Sequence, residues 1–200
     1  MPEFILRAHA ASTDPQRLAA SIGDESHGEY LAHCILNALL ISKGHRDDTR
    51  LTLVLENSAD FSRAVTLDGA TLGHIGGTTE AALLQLVVRG LRAGLQLRKE
   101  ESRTAEPGIT VQAISFEHLV RDRLQTAPVY LLEPGGIPVR ETRLSVDDVY
   151  LLSDHIPMQR KAIKSLLRIG ARPLSLGPVM LHASQCITLV QNELDWQCSN

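Results

Sequence analysis

The sequence predicts an α/β fold, a layer of parallel strands covered by helices. Two observations carry that expectation. Short continuous apolar runs, such as Leu51–Leu55 and Val149–Leu152, alternate along the chain with segments of helical apolar spacing. Strands that are apolar at nearly every position, rather than at every second one, belong to sheets buried on both faces, the usual setting of parallel pairing. The composition allows such a core: 44% of the 200 residues are hydrophobic and 22% charged, which is a globular balance and not a disordered one. The length fits one domain, or one domain with an appendage.

The elements follow in order. Phe4-Ile5-Leu6 reads as a first strand entered directly, and with an acid at position 3 and no apolar leader, no export sequence is expected. Leu31, Cys34, Ile35, Ala38, Leu39 and Ile41 recur at helical spacing over 29–42, with Gly44 as the stop. Leu51–Leu55 is a buried strand and Ala64–Asp68 its partner. The glycine-rich Gly73–Gly77 lacks a phosphate-loop lysine and reads as a turn. Thr78 or Thr79 then caps a helix reaching about Leu97, with Leu83, Leu84, Val87, Val88, Leu91 and Leu95 on one face. Residues 99–107 are charged and aperiodic, hence a surface loop. A strand over 109–114, a helix over 116–124 and a strand over 129–132 follow, the last closed by the turn signal Pro134-Gly135-Gly136. The strand Val149–Leu152 runs into Ser153-Asp154-His155. A helix over 158–169 stops at Gly170, a short strand covers 173–176, and a helix from about Ala183 to Trp196 carries Cys186, Val190 and Leu194 on one stripe.

Several function classes are excluded. No run approaches the roughly 18–20 apolar residues of a membrane span. Cys34, Cys186 and Cys198 are odd in number and widely spaced, which fits neither a structural zinc site nor any other metal centre and suits a reducing cytoplasm. There is no G-x-G-x-x-G after the first strand, no Walker lysine loop, no G-x-S-x-G elbow and no H-E-x-x-H pair. The net charge of −3 draws the whole molecule to no polyanion, but between His155 and Asn192 there is no acid and five cations, Arg160, Lys161, Lys164, Arg168 and Arg172. That is either the solvated face of one helix or a local patch for phosphates. Ligands of open parallel sheets collect beyond the carboxyl ends of strands. Three such ends carry small or polar residues here: Leu132 before the glycine turn, Ser153-Asp154-His155, and Leu176-Gly177-Pro178.

From Leu174 to Asp195 the sequence becomes specific. Its serine-rich loop leads into Leu181-His182-Ala183, then Cys186-Ile187, Asn192 and Leu194-Asp195. This strongly resembles the C-terminal motif of the tRNA pseudouridine N1-methyltransferase family (TrmY), and most of all its bacterial members. Asp154-His155-Ile156, the opening Glu3–Ala8 and Pro107-Gly108-Ile109 match in the same order, so the resemblance spans nearly the whole chain. It implies a SPOUT-type α/β fold over 1–200 as a single domain, a parallel sheet flanked by helices with a C-terminal trefoil knot over about 129–200. Composition alone would never suggest a knot. It also implies a homodimer that takes its methyl group from S-adenosyl-L-methionine and acts on RNA, in the first place tRNA.

Carried over position by position, the donor site comprises Leu132, Ser153, Leu176, Gly177, Pro178, Val179, Met180, Leu181 and Cys186, the same three strand ends. A mostly apolar adenosine bearing a sulfonium suits apolar walls and backbone hydrogen bonds. Cys186 lines that pocket as a small apolar residue, with no need for its thiol to react. Asp154 either takes the proton released on methylation or caps the following helix; His155 reads as a structural histidine. RNA contacts are expected from Arg7, Arg46 and Arg63 in the first half and from Arg160, Lys161 and Lys164 beside the donor motif. Two departures from the family stand out: Gly177 replaces the donor-loop serine, and Ser153 the glycine before Asp154. Residues 23–29 replace an archaeal signature expected to position RNA. Two other readings stay open: a module that binds donor or RNA without catalysis, and a methyltransferase acting on another base or on ribose.

Overall fold

In the computed structural model, which describes residues 1–24 and 26–198, the first apolar run extends further than its core suggests and forms strand β1, Glu3–Ser12. Then follow helices α1 (Pro15–Ala20) and α2 (Ser26–Leu39), the small hairpin β2 (Leu40–Ile41) and β3 (Gly44–His45), and strands β4 (Arg50–Asn57) and β5 (Arg63–Asp68). Helix α3 (Glu80–Ala93) precedes β6 (Ser102–Glu106), β7 (Ile109–Gln112) and α4 (Phe116–Leu124). The last third is β8 (Val129–Pro138), a 3₁₀ turn, β9 (Val149–Ser153), α5 (Arg160–Arg168), β10 (Arg172–Ser175) and α6 (Ala183–Cys198). Glu25, within the stretch expected to position RNA, lies outside the described residues.

Eight strands form one sheet in the order β10-β8-β9-β1-β4-β5-β7-β6. Pairing is parallel from β10 through β4 and antiparallel from β4 through β6. The α/β expectation therefore holds, with a parallel-rich sheet flanked by helices. The antiparallel half arises where connections are too short for a crossover helix, as between Asn57 and Arg63. The stretch 99–107, expected to be a loop, contains the edge strand β6. Its residues are polar and largely exposed, so no apolar pattern marks it. Helix α2 ends at Leu39 rather than near Ser42 because the next residues pair in the β2–β3 hairpin. Helix α3 starts where its cap dictates, the Thr79 side chain accepting the Ala82 N–H.

Alternation along β1 divides the core. Phe4, Leu6 and Ala8 face the layer of α2, α3 and α6, with Leu53, Leu55, Leu84 and Ile187 in the same cluster. Ile5 faces the other layer, with Val54, Phe116, Leu151 and Leu166. On that second face Glu3, 3% exposed, accepts from Arg123 Nε at 2.5 Å and from Thr52 Oγ1 at 2.7 Å, tying β1 and β4 to α4.

Strand β8 runs through the Pro134-Gly135-Gly136 signal instead of stopping there. Pro173 pairs with Leu131, but the next residue, Leu174, pairs with Ile137. Residues 132–136 therefore bulge out of the ladder at the carboxyl end of the strand. Gly136 brings the bulge back against β10: a Cβ there would lie 2.5 Å from the Leu174 nitrogen and 2.6 Å from the Pro173 carbonyl carbon. Gly136→Ala should destabilise the protein by about 1–3 kcal/mol through overpacking. A urea unfolding midpoint lowered at unchanged slope would show it, with Gly135→Ala, which meets open space, within about 0.5 kcal/mol of the parent.

Candidate functional site

The β8 bulge, the carboxyl end of β9 and the middle of β1 at Leu6 open into a cleft of about 480 Å³. Each wall has a local cause. The β8 bulge supplies Leu132, Glu133 and Pro134, the turn after β9 supplies Ser153, Asp154 and His155, and helix α2 presents Tyr30 and Cys34 one turn apart. Met158 and Ile163 close the side toward α5, and Met180 to Ser184 with Cys186 close the side toward α6. A smaller recess of about 50 Å³ lies against the same residues Leu132, Glu133, Pro134, Met180, Leu181 and Cys186 and adds Leu176, Gly177 and Val179.

Of the donor-site residues expected from the sequence, Leu132, Ser153, Leu176, Gly177, Val179, Met180, Leu181 and Cys186 thus meet around one space. Pro178 sits in the same loop without lining it. Buried Ser175 shapes that loop, donating from its hydroxyl to the Pro134 carbonyl at 3.0 Å and accepting the Gly177 N–H at 3.2 Å. Gly177 has φ of 120°, a conformation that favours glycine. Val179 and Met180 are 69% and 79% exposed, an apolar rim that a bound molecule would cover.

The turn after β9 is equally constrained. The Ser153 hydroxyl donates to the Ile156 carbonyl at 2.5 Å, and the Asp154 carboxylate accepts the Ile156 N–H at 2.8 Å. The Asp154 side chain is only 4% exposed. It does not cap the next helix: α5 begins at Arg160 behind Gln159, later than the expected 158. His155 is not a packed core histidine but one member of a ring stack. His27 lies 4.5 Å from it and Tyr30 4.8 Å, with His182 tilted 5.7 Å from Tyr30. Tyr30, His27 and Glu133 escaped the sequence reading. The helical spacing of Tyr30 and Cys34 was a usable signal for the first, whereas Glu133 enters only because of the bulge.

Burial decides the chemistry of the walls. It pushes the Cys34 thiol up to about 12 and the Cys186 thiol up to about 11. Both are therefore neutral at physiological pH, apolar surface rather than nucleophiles. Burial also raises the carboxyl of Glu133 from its ordinary range. Among the described residues no group of His, Cys, Asp and Glu is arranged to hold a metal ion, and no helix is long and apolar enough to cross a membrane.

The cations divide into two sets. Arg7 is drawn inward, pairing with Glu56 at 3.0 Å and Glu117 at 2.8 Å over the Phe116 ring. Arg63 is 5% exposed and spends its guanidinium on Asp60 and on the carbonyls of Phe61 and Gly94. Arg46 forks onto Asp195 at 3.0 and 2.5 Å, beside a different cavity. None of these three lies among the residues of the cleft. Arg160, Lys161 and Lys164 stand exposed on α5, the helix whose Ile163 lines it.

A parallel-rich α/β sheet with a largely apolar cleft beyond the end of one of its central strands places a small-molecule site where such sheets usually hold one. Comparison with known proteins makes this particular. Residues 1–198 match the family described as "Putative SAM-dependent RNA methyltransferase", and the chain belongs to that family. A relative in Vibrio vulnificus, named "Putative pseudouridine methyltransferase", is 46% identical over 197 residues, covering 98% of this chain and 100% of the relative. One of the same name in Alcanivorax borkumensis is 45% identical over 196 residues, 98% of each chain. Among solved structures, Archaeoglobus fulgidus Nep1 bound to S-adenosylhomocysteine superposes with a TM-score of 0.62 over 100% of this chain and 99% of that one. At 13% identity that likeness speaks for the fold alone.

The thiol assignments predict an order of alkylation. Iodoacetamide at neutral pH should modify exposed Cys198 well before Cys186, and the Cys186 rate should climb by about tenfold per pH unit toward its titration near 11. Peptide mass spectrometry across that pH series measures it.

Proposed function

We propose that this S-adenosylmethionine-dependent RNA methyltransferase holds its donor in the cleft and methylates N1 of a pseudouridine, in tRNA before other RNAs. The observation that carries this is the convergence of the residues of the C-terminal motif on one cavity of about 480 Å³, a volume in the range of small-molecule sites. The cavity fits the donor: apolar side chains and neutral thiols wall it, and the glycine at 177 lets loop backbone approach. Leu132, Leu176, Met180, Leu181 and Cys186 would enclose the adenosine. Glu133 is an anionic wall suited to a donor that carries positive charge. When bound, S-adenosylmethionine supplies a methyl group already activated on its sulfonium, so positioning is much of what the protein must add.

The protein's own chemistry concerns a proton. N1 of pseudouridine bears a hydrogen that must leave as the methyl arrives. Asp154 is a near-fully buried carboxylate in the cleft wall, held by the Ile156 N–H, and we assign it the role of taking that proton. The ring stack of His27, His155 and Tyr30 borders the same wall and offers a face for a base. Arg160, Lys161 and Lys164 would meet the RNA backbone next to the cleft. The same reading includes a cytoplasmic homodimer, a single domain, and a knotted path of the C-terminal segment. In support of the knot, β10 lies at the sheet edge against the β8 bulge, while α6 returns to pack on α2.

Isothermal titration with S-adenosylmethionine should give micromolar-range binding, weakened at least tenfold in Cys186→Trp with the circular dichroism spectrum preserved. Nucleoside mass spectrometry of RNA from a deletion strain then identifies the acceptor; loss of a ribose methyl or of another methylated base would replace pseudouridine in this reading. Alanine at Arg160, Lys161 or Lys164 should each lower the salt slope of RNA binding by about one. Arg63→Ala should leave that slope unchanged and reduce stability instead.

A further inference from the structure

His9 is on β1, two residues beyond Arg7, and stands between two carboxylates from neighbouring strands. Its Nε2 lies 3.5 Å from Glu56 Oε2 at the end of β4, and its Nδ1 lies 3.8 Å from Asp154 Oδ1 after β9. Glu56 is itself fixed, since Arg7 Nε donates to the same Oε2 at 3.0 Å and Arg7 also pairs with Glu117 on α4. The Nδ1 of His9 is buried and has no hydrogen-bond partner. A buried polar atom left unbonded is costly and rare enough to need a reason.

The neighbours supply one. An ionised Glu56 is an acceptor only, so it selects the tautomer that carries hydrogen on Nε2. Nδ1 is then a lone pair, and it faces the Asp154 carboxylate, which is also an acceptor. Two acceptors cannot hydrogen-bond, so the pair stays apart at 3.8 Å. With Nδ1 bare, a hydrogen bond between them needs a proton, and one delivered to Asp154 supplies it. The orphaned nitrogen is thus in position to receive that proton.

We propose that His9 is a positioning residue and second proton carrier, relieving Asp154 of the proton taken from the acceptor base; this rests on the role given to Asp154 above. The balance is complete. The bond from donor sulfur to methyl carbon breaks as the bond from carbon to ring nitrogen forms, and the nitrogen's proton passes to Asp154. From the Asp154 oxygen the proton moves to His9 Nδ1, leaving an imidazolium between the carboxylates of Asp154 and Glu56. When the RNA leaves and water re-enters the cleft, the imidazolium hands the Nδ1 proton back through the Asp154 oxygen to that water, and the resting Nε2–H tautomer returns.

Two measurements test this on the purified protein. Imidazole ¹⁵N shifts, with His9 assigned among the eight histidines by its absence in His9→Gln, should show the Nε2–H tautomer, and Glu56→Gln should erode it. A resting Nδ1–H tautomer overturns the relay. Methyl transfer from labelled S-adenosylmethionine to a pseudouridine-containing tRNA should fall in kcat by about 100-fold in His9→Gln, with donor affinity and both KM values within about twofold. A kcat equal to the parent's, or a loss confined to KM, also overturns it. If the parent transfers no methyl to pseudouridine, the acceptor assignment fails, and the tautomer measurement alone decides whether His9 waits on Asp154.

Discussion

The cleft depends on one constraint, the parallel pairing of β1 with a neighbour on each side. Arg7 is level with Ser153, the last residue of β9, and with Val54 of β4, so β9 ends beside the middle of β1 and the residues after it turn over that strand. The ladder continues one step past β9, where the Asp154 N–H donates to the Arg7 carbonyl at 3.0 Å. That bond sets Asp154 beside His9 and turns the following residues over the strand ends. Antiparallel neighbours would send one chain away from this level at each junction, and the polar residues after each strand would be scattered to opposite ends of the sheet. The buried pair of Glu3 with Arg123 holds the other end of β1 against α4. Breaking such a pair by removing one partner leaves an uncompensated charge, so it fixes the placement of β1 more than it adds stability.

Charge is distributed with the same economy. The walls of the cleft carry carboxylates and neutral thiols, while the exposed cations sit outside on α5. On the reading proposed above, a cationic donor would meet no Lys or Arg in the wall, and a polyanionic substrate would find positive surface on α5 beside the cleft. A net charge of −3 keeps the remainder of the molecule unattractive to nucleic acid.

The sequence reveals the parts whose physics is local. Helix α4 falls over Phe116–Leu124 as expected, because Ser115 caps it and the apolar spacing is unbroken. The strands around Leu51–Leu55, Val129–Leu132 and Val149–Leu152 stand out by continuous apolarity, and so do the three strand ends that wall the cleft. What was hidden needed partners far along the chain. β6 is polar because only one edge of it is paired. The Pro134-Gly135-Gly136 run reads as a turn, and only β10 makes it a bulge. Helix α1 was legible but passed over, its Asp14 cap and Pro15 at the first turn being ordinary start signals. Arg7 and Arg63 look like any free cation until Glu56, Glu117 and Asp60 are seen to claim them.

The cleft also departs from what stability alone would select. Asp154 is a carboxylate with 4% exposure, and the nearest arginine on β1 is already committed to Glu56 and Glu117. An apolar residue of similar size after β9 would remove a carboxylate that burial disfavours, and an apolar residue in place of His9 would remove the unbonded imidazole nitrogen. The surrounding structure tolerates both because β1 is paired on both edges and packed on both faces. Polar groups left without all their partners beside a strand held on every side suit the proton-handling role proposed for Asp154 and His9.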